Sequence, residues 1–295
     1  SHSRLTQFGM ESLILYGGTF DPVHNGHLRI ARAASLTLNA DVIFIPNANP
    51  PGKKPIACFS DRLEMLKDAL KEDGSASFSI SLFESELTTE PHYWIDTLRY
   101  FKNRYPKRRL FFIIGADEAN QFLSWKSPDE ISKLATPIYV PRTGIEVQDA
   151  LLQKYRMRRL PYEKSGEVSS SEVRRLHSLD IPLSVRNNIE KKHLYYINDI
   201  SKMLSAHRLL HSISVARLAY EIAYRNHLRN PKFAYIAGLL HDIGKDVPKE
   251  KEVTFMKEHF PEQDQFPEWT YHQFIGAEIA KEKFGIEQEE ILDAI

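Results

Sequence analysis

The chain has 295 residues, about two domains at roughly 150 residues each. Hydrophobic residues are 42%, charged residues 26%, with 16 Phe and 13 Tyr, which excludes a disordered or low-complexity chain. Thirty-nine Lys and Arg cancel thirty-nine Asp and Glu, so no overall field draws it to nucleic acid or to an anionic membrane, and any polyanion site must be local.

Residues 1–9 lack the apolar heart of a signal peptide and precede Met10; they read as a remnant of expression. Leu13 to Tyr16 is a short apolar run ending at Gly17-Gly18, and helical spacing follows from Leu28 to Leu38, which predicts strand, glycine turn, helix. Asp41 to Pro46 reads as a buried strand stopped by proline, and Phe59 to Leu70 as a helix with Ser60 as N-cap. Ser77 to Leu82 alternates like a strand, Tyr93 to Lys102 has helical spacing, and Leu110 to Ile114 is a fully apolar strand running into Gly115-Ala-Asp117. Thr136 to Val140 adds another strand. Short strands alternating with helices predict an α/β fold with a doubly wound parallel sheet over residues 10–198, which binds ligands at the carboxyl ends of its strands. From about Ile200 the spacing is helical throughout. Leu209, Leu210, Ile213, Ala216, Leu218, Ala219, Ile222 and Ala223 form one broad apolar stripe, so a smaller all-α domain is expected over 199–295. No apolar run approaches the roughly 18 residues of a membrane helix, and the single Cys58 suits a reducing, cytoplasmic setting.

The strongest chemical signal is Gly17-Gly-Thr-Phe-Asp-Pro-Val-His24-Asn-Gly-His27, set between the first strand and the first helix. Two glycines let backbone approach a ligand closely, and a helix starting near Gly26 turns unpaired amides and its positive end toward an anion. Two imidazoles three residues apart can reach the same phosphate oxygens, donating hydrogen bonds that strengthen as negative charge builds during displacement at phosphorus.

This run resembles the His-x-Gly-His signature of the adenylyltransferase superfamily, in particular the bacterial nicotinate mononucleotide adenylyltransferases. The likeness continues in order through Asn49-Pro-Pro-Gly-Lys53, Asp61-Arg-Leu-Glu-Met65, His92-Tyr-Trp-Ile-Asp-Thr-Leu98, Phe112-Ile-Ile-Gly-Ala-Asp117, Trp125-Lys126, Arg142 and Val168-Ser-Ser-Ser-Glu-Val-Arg174. Gly52 and Trp94 stand where that family usually has histidine and threonine. The resemblance implies adenylyl transfer from ATP to nicotinate mononucleotide, with Mg2+ on the triphosphate. It implies His24 and His27 as catalytic donors, and Gly17, Gly18, Thr19, Phe20, Gly26, Lys53, Gly115, Asp117, Ser170, Ser171 and Arg174 as contacts to ATP and its phosphates. Tyr93, Trp94, Thr97, Trp125 and Arg142 would meet the mononucleotide, its flat ring suiting aromatic faces.

His211, His241-Asp242 and His272 are spaced by 30 and 31 residues on or beside helical patterns, and imidazole and carboxylate groups from separate helices can converge on a divalent transition metal. Ala237-Gly-Leu-Leu-His-Asp-Ile-Gly-Lys245, with Arg208-x-x-His211-Ser212 upstream and Gly276-Ala277 after His272, resembles the HD phosphohydrolases, on the branch that cleaves diadenosine tetraphosphate. That implies His211, His241, Asp242 and His272 as ligands of iron or manganese. It also implies further ligands after a segment like Ile291 to Ile295, so the helical domain is expected to be truncated. The alternative expectation is a non-catalytic nucleotide-sensing or interaction module. Neither nucleic acid nor membrane is an expected partner.

Overall fold

The computed structural model describes residues 11–87, 92–162 and 168–295. Their contacts separate into two compact units, one made of the chain up to Ser170 together with Asp180–Val185, the other of Ser171–Leu179 together with Arg186–Ile295.

In the first unit the elements run β1 (Ser12–Gly18), α1 (Asn25–Leu38), β2 (Asp41–Pro46), α2 (Phe59–Asp73), β3 (Phe78–Ile80), α3 (Trp94–Arg104), β4 (Arg109–Gly115), α4 (Ala116–Asn120), α5 (Pro128–Leu134), β5 (Ala135–Val140), α6 (Asp149–Tyr155) and β6 (Arg158–Arg159). The strands form one sheet in the order β3-β2-β1-β4-β5-β6, every pairing parallel. Leu13 to Leu15, Val42 to Ile45 and Leu110 to Ile114 are buried throughout, because a parallel sheet covered by helices on both faces requires apolar residues at consecutive positions. Leu15 lies in register with Ile43 on one side and Phe112 on the other. The chain therefore leaves β1 toward β2 and later returns to β1's other edge as β4. Such a reversal opens a crevice beyond the carboxyl ends of those strands, here Gly18 and Gly115.

Two local expectations need correction. Cys58, not Ser60, is the N-cap of α2, without a side-chain cap bond; Ser60 lies inside the helix, its Oγ 3.2 Å from Cys58 Sγ. The Ser77 to Leu82 run shortens to the three residues of β3, because Phe83–Glu86 turns into a 3-10 helix.

The chain continues through α7 (Ser170–Arg174), α8 (Leu183–Lys192), α9 (Tyr195–Ser201), α10 (Ala206–Arg225), α11 (Pro231–Leu240), α12 (Lys249–His259), α13 (Tyr271–Phe284) and α14 (Glu289–Ala294). In the second unit α10 and α11 approach so closely that a Cβ on Gly238 would stand 2.9 Å from Ala216 Cα. The expected stripe on α10 divides: Leu209, Ile213, Ala216 and Ala223, at helical intervals of four, three and seven, are buried, while Leu210, Leu218 and Ile222 are more than half exposed. One helix face of about 100° is what a single partner covers. Residues 186–198, read from sequence as part of the first domain, pack in this unit around a buried carboxylate. Glu190 accepts from Arg217 Nε at 2.6 Å and from the Tyr235 hydroxyl at 3.3 Å, and the Tyr196 and Tyr235 hydroxyls are 3.4 Å apart. No helix among the described residues is long and apolar enough to cross a membrane.

Candidate functional site

Helix α1 opens on a reciprocal histidine cap. His24 is the N-cap in extended conformation; its Nδ1 accepts from the His27 amide at 3.3 Å, while His27 Nδ1 accepts from the His24 amide at 3.1 Å. The rings stack with centroids 3.7 Å apart. A nitrogen that accepts carries no proton, so the hydrogen-bond pattern places the proton of each neutral imidazole on Nε2. Burial, and then the neighbouring His24, hold His27 well below the usual imidazole pKa. The pair thus presents neutral N–H donors at the positive end of a fourteen-residue helix. Gly26 is glycine for lack of room, since a Cβ would meet the His24 ring and Val168 Cγ1 at 2.8 Å. Phe20 adopts a left-handed φ of 48° and is buried, its ring edge-on to His27 at 4.9 Å. It braces the imidazole.

Two buried charges hold the neighbouring loops. Asp21 accepts from the amides of Ile56 and Ala57 at 2.8 and 3.1 Å. Arg62, 1% exposed, donates to the carbonyls of Thr19 and Asn47 at 2.8 Å, of Ala57 at 3.1 Å and of Ala48 at 3.3 Å. On the other side of α1, Asp180 accepts from Asn25 Nδ2 at 2.9 Å and Arg29 Nη2 at 2.7 Å. Burial alone would raise the Asp180 pKa, but the bonds from Arg29 and Asn25 outweigh it and leave the carboxyl below its ordinary value.

The crevice beyond β1 and β4 holds a cavity of about 490 Å³. Gly17, Gly18 and Thr19 form one wall, Ile113, Ile114 and Glu118 another, and Tyr93, Trp94 and Trp125 supply aromatic surface. Gly17 meets the indole of Trp94 so closely that a Cβ would come within 2.8 Å of it. Trp125 leans on Phe122 and Phe112 with centroids 5.1 and 6.2 Å away, and Lys126 Nζ sits 4.4 Å above the Tyr93 ring. Glu118 accepts from the Gly115 amide at 3.1 Å; burial raises its pKa against that bond. Glu84, His92 and Lys126 also line the cavity and were not selected from sequence. His92 and Lys126 sat inside recognised segments, whereas Glu84 is an isolated acid in a polar 3-10 turn and carries no sequence signal.

The other expected contacts are distributed more widely. Thr97 is fully buried and 2.8 Å from His92 Nε2, so it supports the cavity wall from behind. Lys53 belongs to the Asn49 to Pro55 loop, which encloses its own hollow of about 310 Å³, with Gly52 at φ 69°. Asp117 and Arg142 are half-exposed and stand 3.9 Å apart. Ser170 donates its hydroxyl to the Pro22 carbonyl at 2.8 Å, tying down the glycine loop. Ser171 and Arg174 fall in the second unit.

In that unit His211, His241 and Asp242 come together, with one potential ligand atom of each within 4.8 Å of the others. His211 projects from α10 and His241 caps the end of α11. His241 Nδ1 is 2.6 Å from the Gly238 carbonyl, which as a donor to that oxygen leaves Nε2 unprotonated, the arrangement that orients a metal-binding imidazole. Asp242 is buried, its carboxylate 3.1 Å from both His241 Nε2 and Lys245 Nζ. Two imidazoles and a carboxylate suit a divalent transition ion. His272 does not join them. Its Nδ1 faces the Trp269 carbonyl at 2.9 Å, although its own carbonyl packs against Gly244.

The cytidylyltransferase-like family model matches residues 15–176, more than half of the chain. The chain belongs to the cytidylyltransferase-like family. An HD domain model matches residues 208–295 of this cytidylyltransferase-like protein. Over 97% of its length it is 30% identical to 81% of a Mycoplasma genitalium protein named probable nicotinate-nucleotide adenylyltransferase/Ap4A hydrolase. Over 47% of its length it is 41% identical to 74% of the nicotinate-nucleotide adenylyltransferase of Bacillus subtilis. A solved Plasmodium falciparum nicotinic acid mononucleotide adenylyltransferase, complexed with NaAD, shares the fold over 64% of this chain and 98% of that chain, at 21% identity and TM-score 0.52.

Proposed function

We propose that this chain transfers the adenylyl group of ATP to nicotinate mononucleotide, giving nicotinate adenine dinucleotide and pyrophosphate. The carrying observation is the reciprocal cap, which fixes two neutral imidazoles as Nε2–H donors where the glycine loop enters α1. A phosphate oxygen of the mononucleotide forms the new bond to the α-phosphorus of ATP as the bond to pyrophosphate breaks, so no protein nucleophile takes part. His24 and His27 donate to the oxygens that gain charge, and the Gly17 to Phe20 backbone cradles them. Mg2+, arriving on the triphosphate, supplies charge neutralisation. The aromatic wall of Tyr93, Trp94 and Trp125 takes the pyridine, and Lys53 and Ser170 take phosphates. Relatives named for this activity, one matching over 97% of the chain and one over 47%, support the reading. Pyrophosphate release from ATP and nicotinate mononucleotide tests it. His24→Ala and His27→Ala should each lower kcat about 10²- to 10³-fold; full rates in both variants would overturn it.

The helical unit binds a divalent ion through His211, His241 and Asp242, iron or manganese by its resemblance to the HD phosphohydrolases, and acts on diadenosine tetraphosphate, the substrate in the name of the Mycoplasma relative. When bound, such an ion supplies a water of lowered pKa. Asp242 and the two imidazoles hold it, and Lys245 stands by Asp242 to meet a phosphate. The three-ligand set without His272 favours one second reading, a nucleotide-sensing module without turnover. Diadenosine tetraphosphate hydrolysis in the presence of Mn2+ separates the two. We place the change of chemistry near residue 198, a boundary between reactions rather than between packing units, and the setting in the cytoplasm.

A further inference from the structure

A hydrogen-bond donor serves a transition state only while it is aimed within about 0.5 Å and 10–20°, and a side chain is aimed no better than the backbone that carries it. At the head of α1 that backbone is held by a residue far along the chain. Asn25, which follows His24, donates its amide to the Asp180 carbonyl at 3.0 Å and its Nδ2 to Asp180 Oδ1 at 2.9 Å. One residue thus grips Asn25 by main chain and side chain together, which fixes its rotation as well as its position. Asp180 is held in turn by Arg29, one turn into α1, which donates Nη2 to Oδ2 at 2.7 Å and Nη1 to Oδ1 at 3.4 Å.

The Arg29 and Asp180 side chains are 35% and 40% exposed. An ion pair so open to water adds little to the stability of a fold, so folding alone does not account for these bonds. Their placement does. All of them converge on the first turn of α1, the turn whose cap is the His24 and His27 pair. Ser170 holds the approach to the same turn, its hydroxyl on the Pro22 carbonyl two residues before His24.

We infer that Asp180 is a positioning residue for adenylyl transfer, fixing through Asn25 the turn from which His24 donates, with Arg29 as its counter-charge. This rests on the reading of His24 as a transition-state donor given above. Asp180 acts through Asn25, so its loss should slow the chemical step and leave substrate binding alone.

The test measures kcat and both KM values for pyrophosphate release from ATP and nicotinate mononucleotide in the full chain. Asp180→Ala deprives Asn25 Nδ2 of its acceptor and should lower kcat about tenfold, the worth of one charge-assisted hydrogen bond, with both KM values within about twofold of wild type. Asp180→Asn keeps an oxygen for Asn25 and should bring kcat back to within about threefold. Arg29→Met removes the ion pair and leaves Asn25 its acceptor, so kcat should again stay within about threefold. An unchanged kcat in Asp180→Ala overturns the assignment. So does an equal loss in Asp180→Ala and Arg29→Met, which would make the ion pair, not the grip on Asn25, the feature that matters, and so does a raised KM with kcat intact. Should Asp180→Ala fail to fold, Asn25→Ala removes the same bond from its other end: a lower kcat at unchanged KM supports the inference, and a full rate overturns it. A wild type that releases no pyrophosphate fails the parent reading and this one with it, an outcome distinct from an active enzyme indifferent to residue 180.

Discussion

Each of the two histidines at the head of α1 spends its Nδ1 on the other's backbone amide, so helix initiation and choice of tautomer are one event. This has a measurable sign. The folded pKa of His27 lies well below the ordinary 6.5, so as pH falls through 6.5 the unfolded chain takes up a proton that the folded chain refuses, and stability is lost. Melting temperature should decline between pH 7.5 and 5.5. His27→Gln, whose amide oxygen can still cap the helix, should flatten that slope, and equal slopes in the two proteins would show that His27 does not titrate this way. Adenylyl transfer, relying on neutral donors, should hold level from pH 7 to 9. A rate that climbs steadily as pH is lowered from 9 would mean that imidazolium was needed.

Among the elements, the loops around the site depend on Arg62, whose guanidinium gathers carbonyls from the glycine loop, from the residues after β2 and from the start of α2. Arg62→Met leaves several carbonyls without donors in a buried place. It should cost about 2–4 kcal/mol, readable as a lower urea midpoint; a change below about 0.5 kcal/mol would show that water replaces the guanidinium freely. The strands were legible from sequence because buried parallel strands write themselves as unbroken apolar runs, as in Leu110 to Ile114. The glycine loop was legible because Gly17, Gly26 and the histidines answer to steric and hydrogen-bond demands only a few residues away. Glu84 and Arg62 were opaque, since their roles come from partners at a distance along the chain, such as His92 or Asn47. The stripe on α10 was overread for the same reason: spacing shows which residues share a face, but only the arrival of α11 determines which face is covered.

For the whole molecule, the metal set of the second unit predicts a thermal shift. Mn2+ or Fe2+ at about a hundred times its dissociation constant should stabilise that unit by roughly 2.7 kcal/mol, and His241→Ala should abolish the gain. An equal shift in the variant would place the ion elsewhere. Coupling between the two proposed reactions is best probed with the same variant in the full chain. Ending the protein at Asn198 instead removes Arg217 and Tyr235, and with them the partners of Glu190 and Tyr196; its loss of activity would then report lost packing.

The backbone crosses from one unit to the other after Ser170, returns after Leu179 and crosses again after Val185. A gene fusion made end to end leaves one such crossing, and a single proteolytic nick would then release two intact halves. With three, a cut at any one crossing leaves a segment of at least one unit on the other's fragment, so no single nick yields two whole units.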